Sequence, residues 1–545
     1  MSGSEKHSET NFWSGVLTIF GSQLTVKLLG LIYRLVITNI DGFGDVGNGY
    51  YNAGFQIYTL LLALSSVGIP SAISRLVAQA EAAGTHRQSE EIFRTAMALF
   101  FGIGLLCAGI LYLSADFLAR FVIRMDGVQG TLQALSPAVL FVCLSSVLRG
   151  YYLGLGSAKT TGSSQVVEQL LKSVLTVVIV LALSGFSAQV MSAGANFATS
   201  IAAGGSFAYL AVCHIRTKRK ARQSRLYRRQ PHQTFTALSK TILRLSIPVS
   251  VASIIASVGR VIDTATISRG IAAAFAGGIP GQSGVPDAQA LSQEAVRLMG
   301  MLSKGDSILN LPLALNTAFM TMLVPSAAGL LASGRKRVAI GRIEASMRMT
   351  VLFIFPCAVG LIVLAQPIYR LIYPNAPQGW ELLQISAVGM IFIALNQTVT
   401  GGLQGFGLVS IPAKALFWGV IVKVTLNFLL IRIPAVNIHG APIASTACYL
   451  TAFWLGYRQL RRITPLRHSF SKFVGRTALC AVIMGTVARL VYQALYSLLH
   501  SNALALLLTI FGSAAAYFTL LLAIDRKLKS KSGRRMSNRK GNRDS

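Results

Sequence analysis

Residues 91–114 read EIFRTAMALFFGIGLLCAGILYLS. After Arg94, twenty consecutive side chains carry no charge, the length an α-helix needs to cross the hydrocarbon core of a bilayer. Working outward, thirteen further stretches have the same character. The sequence therefore predicts fourteen spans: 11–40, 49–82, 91–114, 131–156, 161–185, 190–215, 240–269, 301–332, 339–365, 381–407, 411–432, 439–460, 471–497 and 502–525. Of the 545 residues, 53% are hydrophobic and only 12% are charged, against about 25% charge in a soluble domain. Mean hydropathy is +0.58. These values exclude a soluble globular domain, a disordered chain and a disulfide scaffold. They predict an all-α polytopic membrane protein.

Charge orients the spans. Fifty Lys and Arg face 18 Asp and Glu, a formal net charge of +32. With the N-terminus (1–10) inside, the inner segments 216–240, 334–342, 458–472 and 526–545 hold 27 cations, and all the outer segments together hold four. Such asymmetry marks cytoplasmic loops, so both termini are expected in the cytoplasm. The basic linker 216–239 and the basic tail 526–545 are read as topogenic segments that touch anionic lipid, not nucleic acid. The N-terminus lacks a short apolar core followed by a small-residue cleavage site, so the first helix is expected to be retained. The six cysteines (Cys107, Cys143, Cys213, Cys357, Cys448, Cys480) all lie in apolar stretches without CxxC spacing and read as small core residues.

The chain repeats itself. GIPSAISRLVAQAEAAG (68–84) near the end of span two is echoed by LVPSAAGLLASGRK (323–336) near the end of span eight, with Pro-Ser-Ala at 70–72 and 325–327. GYYLGLG (150–156) closes span four and GGLQGFG (401–407) closes span ten. Motifs six spans apart keep the same membrane orientation. The reading is two parallel-repeat six-helix lobes, 11–215 and 240–460, followed by two C-terminal helices within 461–525. A cleft between two like-oriented lobes suits alternating access.

Ionisable residues inside spans are costly and are functional candidates by default. The first lobe has Lys27, Arg34, Arg75, Arg149, Glu168 and Lys172. Lys27 and Arg34, seven apart, share a helix face. Glu168 and Lys172, four apart, are expected to neutralise each other. Asp41 and Asp45 stand ready as partners at the outer end of span one. The second lobe has Arg260 and Asp263, three apart and able to pair, then Lys304, Asp306, Arg348, Lys414 and Lys423. Snorkelling at the inner boundary competes with a cavity role for Arg75, Arg348 and Lys414. Capping of a neighbouring helix competes for Arg149. The excess is cationic, which suits an anionic ligand, and guanidinium groups suit phosphate. A site for cationic drugs would show unpaired carboxylates instead. Gln165, Asn310, Asn396 and Gln397 are candidates for hydrogen bonds to a sugar. Walker loops, HExxH, paired Cys/His ligands and a nucleophile elbow are absent from the sequence, so no enzyme chemistry is indicated.

KLLGLIYR (27–34), GYYNAGFQIYTLLLALSSVGIPSAISRLVA (49–78), LRGYYLGLGSAKTTGSSQVVEQLLK (148–172), ILNLPLALNTAFMTMLVPSAA (308–328) and GGLQGFG (401–407) give the sequence its resemblance to a family. It resembles the polysaccharide-biosynthesis and SpoVB-like branch of the multidrug/oligosaccharidyl-lipid/polysaccharide exporter superfamily, near the MurJ-type lipid II flippases. The resemblance implies a flippase in the bacterial cytoplasmic membrane. Such proteins carry an undecaprenyl-diphosphate-linked saccharide, here foremost lipid II, from the inner to the outer leaflet through a cationic cavity. The family's cations on spans one, two and eight fall on Lys27 or Arg34, on Arg75, and near Lys304; the family's span-eight arginine position holds Ser307. The implied diphosphate-binding set is Lys27, Arg34, Arg75, Arg149 and Lys304. Some MurJ-type members have a sodium site, which would fall on Asp263 and Asn427. Lys423 lies one turn before Asn427, and its ammonium is expected to replace the ion and pair with Asp263, leaving no cofactor. Three other readings stay open. One is carriage of another lipid-linked glycan (capsule, teichoic or spore-cortex). The second is cation-coupled drug export. The third is a scaffold for cell-wall synthesis proteins.

Overall fold

A computed structural model describes residues 21–22, 24–63, 68–221, 234–279, 285–332, 334–408, 410–464 and 469–541. The N-terminal segment, most of the basic linker and the last four residues lie outside that set. Every regular element among the described residues is a helix. The helices are α1 (24–38), α2 (Gly44–Ala63), α3 (Ile69–Ala82), α4 (His86–Leu113), α5 (Val128–Gly154), α6 (Ala158–Ala182), α7 (Ala188–Ala221) and α8 (Phe235–Ala274). They continue as α9 (Ala288–Ala332), α10 (Lys336–Val363), α11 (Trp380–Gly405), α12 (Ser410–Leu430), α13 (Gly440–Ile463), α14 (Ser469–Leu499) and α15 (Asn502–Gly541). Short helical turns at Ala115–Phe117, Leu118–Ile123, Ala365–Ile372 and Asn437–His439 join some of them.

Nine of the described helices are long and apolar enough to span a membrane: α4, α5, α6, α7, α10, α11, α12, α14 and α15. The predicted spans that fall short of that measure are α1, α2 with α3, α8, α9 and α13. Of these, α1, α2, α8, α9 and α13 carry side chains that line an internal cavity, described below. Elsewhere the outer surface is apolar: Leu106, Ile110, Val174, Val178, Trp418, Phe428 and Phe511 are all exposed, as a lipid-facing belt requires.

The internal repeat has a structural counterpart, but not in the register of its Pro-Ser-Ala motifs. In the first half, α3 crosses α5 where Gly150 meets Pro70 and Ile73, and Gly154 meets Val77. In the second, α9 crosses α11 where Gly401 meets Met320 and Leu323, and Gly405 meets Ala327. Glycine at these sites removes the Cβ that would hold the helices apart. Ile73 and Val77 thus correspond to Leu323 and Ala327. The glycine motifs are the structural equivalents, and the Pro-Ser-Ala echo is displaced by about one helical turn.

The two halves meet mainly along α2 and α9. A Cβ on Gly300 would lie 1.7 Å from the carbonyl oxygen of Asp45, and one on Gly49 would lie 2.0 Å from that of Val296. No side chain fits at either position without parting the helices. At the same end, Asn39 Nδ2 donates to the Ile372 carbonyl at 2.8 Å, and Asn375 Nδ2 donates to the Asn39 carbonyl at 2.8 Å. These contacts gather at the ends that the charge distribution assigns to the outside.

Candidate functional site

α1, α2, α8, α9, α11, α12 and α13 enclose a cavity of about 920 Å³. Spacing explains which side chains reach it. Asn52, Gln56 and Thr59 follow i, i+4, i+7 along α2 and all line it. On α9, Asp306 and Asn310 are exposed while 303–305 and 307–309 are buried, so these two look into the open space. Gln397 on α11 and Tyr449 on α13 complete the far wall.

Four cations line the cavity: Lys27, Arg34, Arg260 and Lys423. Two acids do as well, Asp263 and Asp306. One pair cancels: Lys423 Nζ lies 2.9 Å from Asp263 Oδ2. Asn427 Nδ2 donates to the other oxygen of Asp263, and also to Thr266 Oγ1 at 3.3 Å. Asp263, Lys423 and Asn427 thus form one cluster, with the ammonium on the carboxylate. The pairing expected between Arg260 and Asp263 does not form; Arg260 donates to Ser257 Oγ at 2.8 Å and keeps its charge toward the cavity. Asp306 is an acid that the charge argument had not placed here. With it ionised, the lining still carries a positive excess.

Arg34 is held on two sides. Its Nη1 donates to Ser307 Oγ at 3.0 Å, bridging α1 to α9, and its guanidinium lies 5.3 Å from the centre of the Tyr51 ring. Ser307, at the position where the resemblance puts an arginine, therefore holds an arginine supplied by α1. Lys27 lines the same space one face-repeat earlier.

Three other candidates lie elsewhere. Lys304 is 1% exposed; its Nζ lies 2.5 Å from Asp45 Oδ1 and donates to the carbonyls of Ala376 at 2.6 Å and Gln378 at 3.0 Å. It ties α9 to the start of α2 and does not face the cavity. Asp45 thus serves as a partner, as its position suggested. Arg149 donates to Glu168 Oε2 at 2.6 Å, to Ser164 Oγ at 3.0 Å and to Ser206 Oγ at 3.0 Å. It knits α5, α6 and α7 together, which replaces the expected pairing of Glu168 with Lys172. Arg75 is exposed on α3 and does not line the cavity. Of the weaker sugar candidates, Asn310 and Gln397 line the cavity and Gln165 and Asn396 do not. Sequence reasoning missed Asn52, Gln56, Thr59 and Tyr449, although the α2 trio was legible as a polar stripe.

The geometry is that of a chamber lined by charged and neutral polar side chains. Among the described residues no cluster of His, Cys, Asp and Glu could hold a metal ion.

The family described as polysaccharide biosynthesis protein matches residues 12–331, and that described as lipid II flippase MurJ matches 296–509. The chain is 26% identical over 490 residues to the lipid II flippase MurJ of Bacillus subtilis, covering 85% of each. It is 25% identical over 517 residues to stage V sporulation protein B of the same organism, covering 94% of this chain and 96% of the relative. A solved structure of the lipid II flippase MurJ in an inward closed conformation superposes with a TM-score of 0.70 at 14% identity, over 94% of this chain and 99% of that one. The chain belongs to the polysaccharide biosynthesis protein family and is a multi-pass membrane transporter with the MurJ-type fold, not an enzyme.

Proposed function

We propose that the protein is a flippase for a polyprenyl-diphosphate-linked saccharide, with lipid II as the leading cargo. The observation that carries this reading is the cavity's surplus of cations. Lys27, Arg34 and Arg260 face the space without the acid that neutralises Lys423. Buried guanidinium groups are suited to a diphosphate through paired donors. Asn52, Gln56, Asn310 and Gln397 offer hydrogen bonds to a saccharide, and the polyprenyl tail stays in lipid. Transport is then an exchange between cavity openings, with no bond made or broken. The contacts between α2 and α9 close one end and must part for the cavity to open there.

The lipid II assignment is tested in cells depleted of their own flippase and supplied with this chain. Restoration of outer-leaflet lipid II is the expected result. No restoration, at normal membrane levels, would move the cargo to another polyprenyl-linked glycan.

The second part of the reading is that Lys423 stands in for a coupling cation at Asp263. An ammonium within ion-pair distance already supplies the charge that a bound metal ion would bring. Transport is therefore expected to proceed equally with potassium or sodium outside. Sodium dependence that disappears in Asp263→Asn would contradict this. With a cationic empty carrier, membrane potential assists the return step at about 2.3 kcal/mol per charge per 100 mV.

A further inference from the structure

Lys172 is a buried cation that the proposed site does not use. It projects from α6 and is 8% exposed. Its sequence neighbour Glu168 is engaged by Arg149, and among the described residues no carboxylate pairs with Lys172. Instead its ammonium sits among aromatic rings. Nζ is 4.3 Å from the centre of Phe55, 5.8 Å from Tyr33 and 5.9 Å from Tyr51.

Those rings are the back of the cavity wall. Phe55 lines the cavity itself. Tyr51 lies under Arg34, 5.3 Å from its guanidinium, and stacks on Phe55 with 5.8 Å between ring centres. The hydroxyls of Tyr33 and Tyr51 are 3.0 Å apart. Arg34 and Lys172 thus share the same tyrosine ring, Arg34 at the cavity lining and Lys172 outside it. Cation–π contacts and hydroxyls make a buried ammonium tolerable but do not neutralise it. Two like charges sharing one tyrosine in a low-dielectric wall raise each other's cost, and an anion at Arg34 relieves both.

We propose that Lys172 is a specificity-determining cation for the diphosphate, set behind Phe55 and Tyr51, which makes the site prefer a polyprenyl diphosphate to a polyprenyl monophosphate. The second phosphate brings additional negative charge beside Arg34, and Lys27 and Arg260 face it from other parts of the lining. Lys172 adds a further positive charge on the Arg34 side of the wall, through the field across the ring or by swinging its flexible four-carbon stem past Phe55. The inference rests on the flippase reading.

The test uses the full-length protein in detergent micelles, with undecaprenyl diphosphate and undecaprenyl monophosphate as probes and native mass spectrometry as readout. Wild type is expected to prefer the diphosphate. Lys172→Met is expected to reduce that preference about tenfold or more while affinity for the monophosphate changes about twofold at most. Lys172→Arg is expected to keep the preference. Lys172→Gln, which retains a polar group for the tyrosine hydroxyls, gives the same reading should the methionine variant fail to fold. A merely structural lysine would shift thermal stability and both lipids alike. An unchanged ratio in Lys172→Met or Lys172→Gln overturns the inference and leaves the flippase reading standing. Wild type that binds neither lipid overturns both.

Discussion

Arg34→Ala is expected to abolish rescue of surface lipid II in flippase-depleted cells, at membrane levels equal to wild type. Among the described residues, Arg34 bridges two helices from the cavity lining without pairing with an acid. Its Nη1 is held by Ser307 on α9, and its guanidinium lies against the Tyr51 ring, so the group is positioned at the cavity lining before any ligand arrives. Truncating one partner of a desolvated, charge-assisted contact costs about 2–5 kcal/mol, which is about a thirtyfold or greater loss of affinity. The loss extends beyond binding, because the bridge to α9 goes with it. Arg34→Lys keeps the charge but not the planar fork, and an intermediate rescue is expected. Arg75→Ala is the internal control: Arg75 is exposed on α3 and away from the cavity, so its loss should leave transport near normal. A dead Arg75→Ala beside an active Arg34→Ala would reverse the assignment of the site.

The second large effect is on stability. Lys304 is 1% exposed and Asp45 9%, and the two join α9 to α2 across the halves. Asp45→Ala leaves an ammonium buried on two carbonyl oxygens with no countercharge. Removing one member of a buried pair costs about 3–5 kcal/mol, whereas replacing both with apolar residues is often nearly neutral. Asp45→Ala is therefore expected to lower the thermal unfolding midpoint markedly, and Asp45→Leu/Lys304→Met to recover most of the loss. The double-mutant cycle should report strong coupling. Independent effects would mean that the ion pair is not what joins the halves there.

The fold was largely legible before any coordinates, and the reason is specific. Runs such as 91–114 leave no alternative to a spanning helix, because every backbone polar group must be satisfied inside the bilayer. The glycine motifs were legible as a repeat because each marks a close helix crossing. Pro-Ser-Ala misled on register, since three residues can recur by chance where no packing constraint fixes them. The site was half legible. Lys27, Arg34, Asp263 and Lys423 were found by their cost in a membrane. Lys304 and Arg149 satisfied the same test but face protein, and sequence spacing alone cannot tell a buried ion pair from a binding cation when the partner lies hundreds of residues away, as Asp45 does for Lys304. Local spacing failed in the same way for Glu168, where Arg149 on a neighbouring helix outcompetes Lys172 four residues along. The polar stripe of Asn52, Gln56 and Thr59 carried no charge and so drew no notice.

One relative is named as a lipid II flippase and another for sporulation, at nearly equal identity, so the decisive evidence on cargo must come from transport itself. The most direct measurement is translocation by the purified protein in sealed vesicles. A fluorescent polyprenyl-diphosphate-linked saccharide is placed in one leaflet, and its appearance in the other is read by quenching from outside. Wild type is expected to move it much faster than empty vesicles, with Arg34→Ala at the empty-vesicle rate. Wild type no faster than empty vesicles, in protein shown to be folded, would contradict the central claim that this cationic chamber carries lipid-linked diphosphates across the membrane.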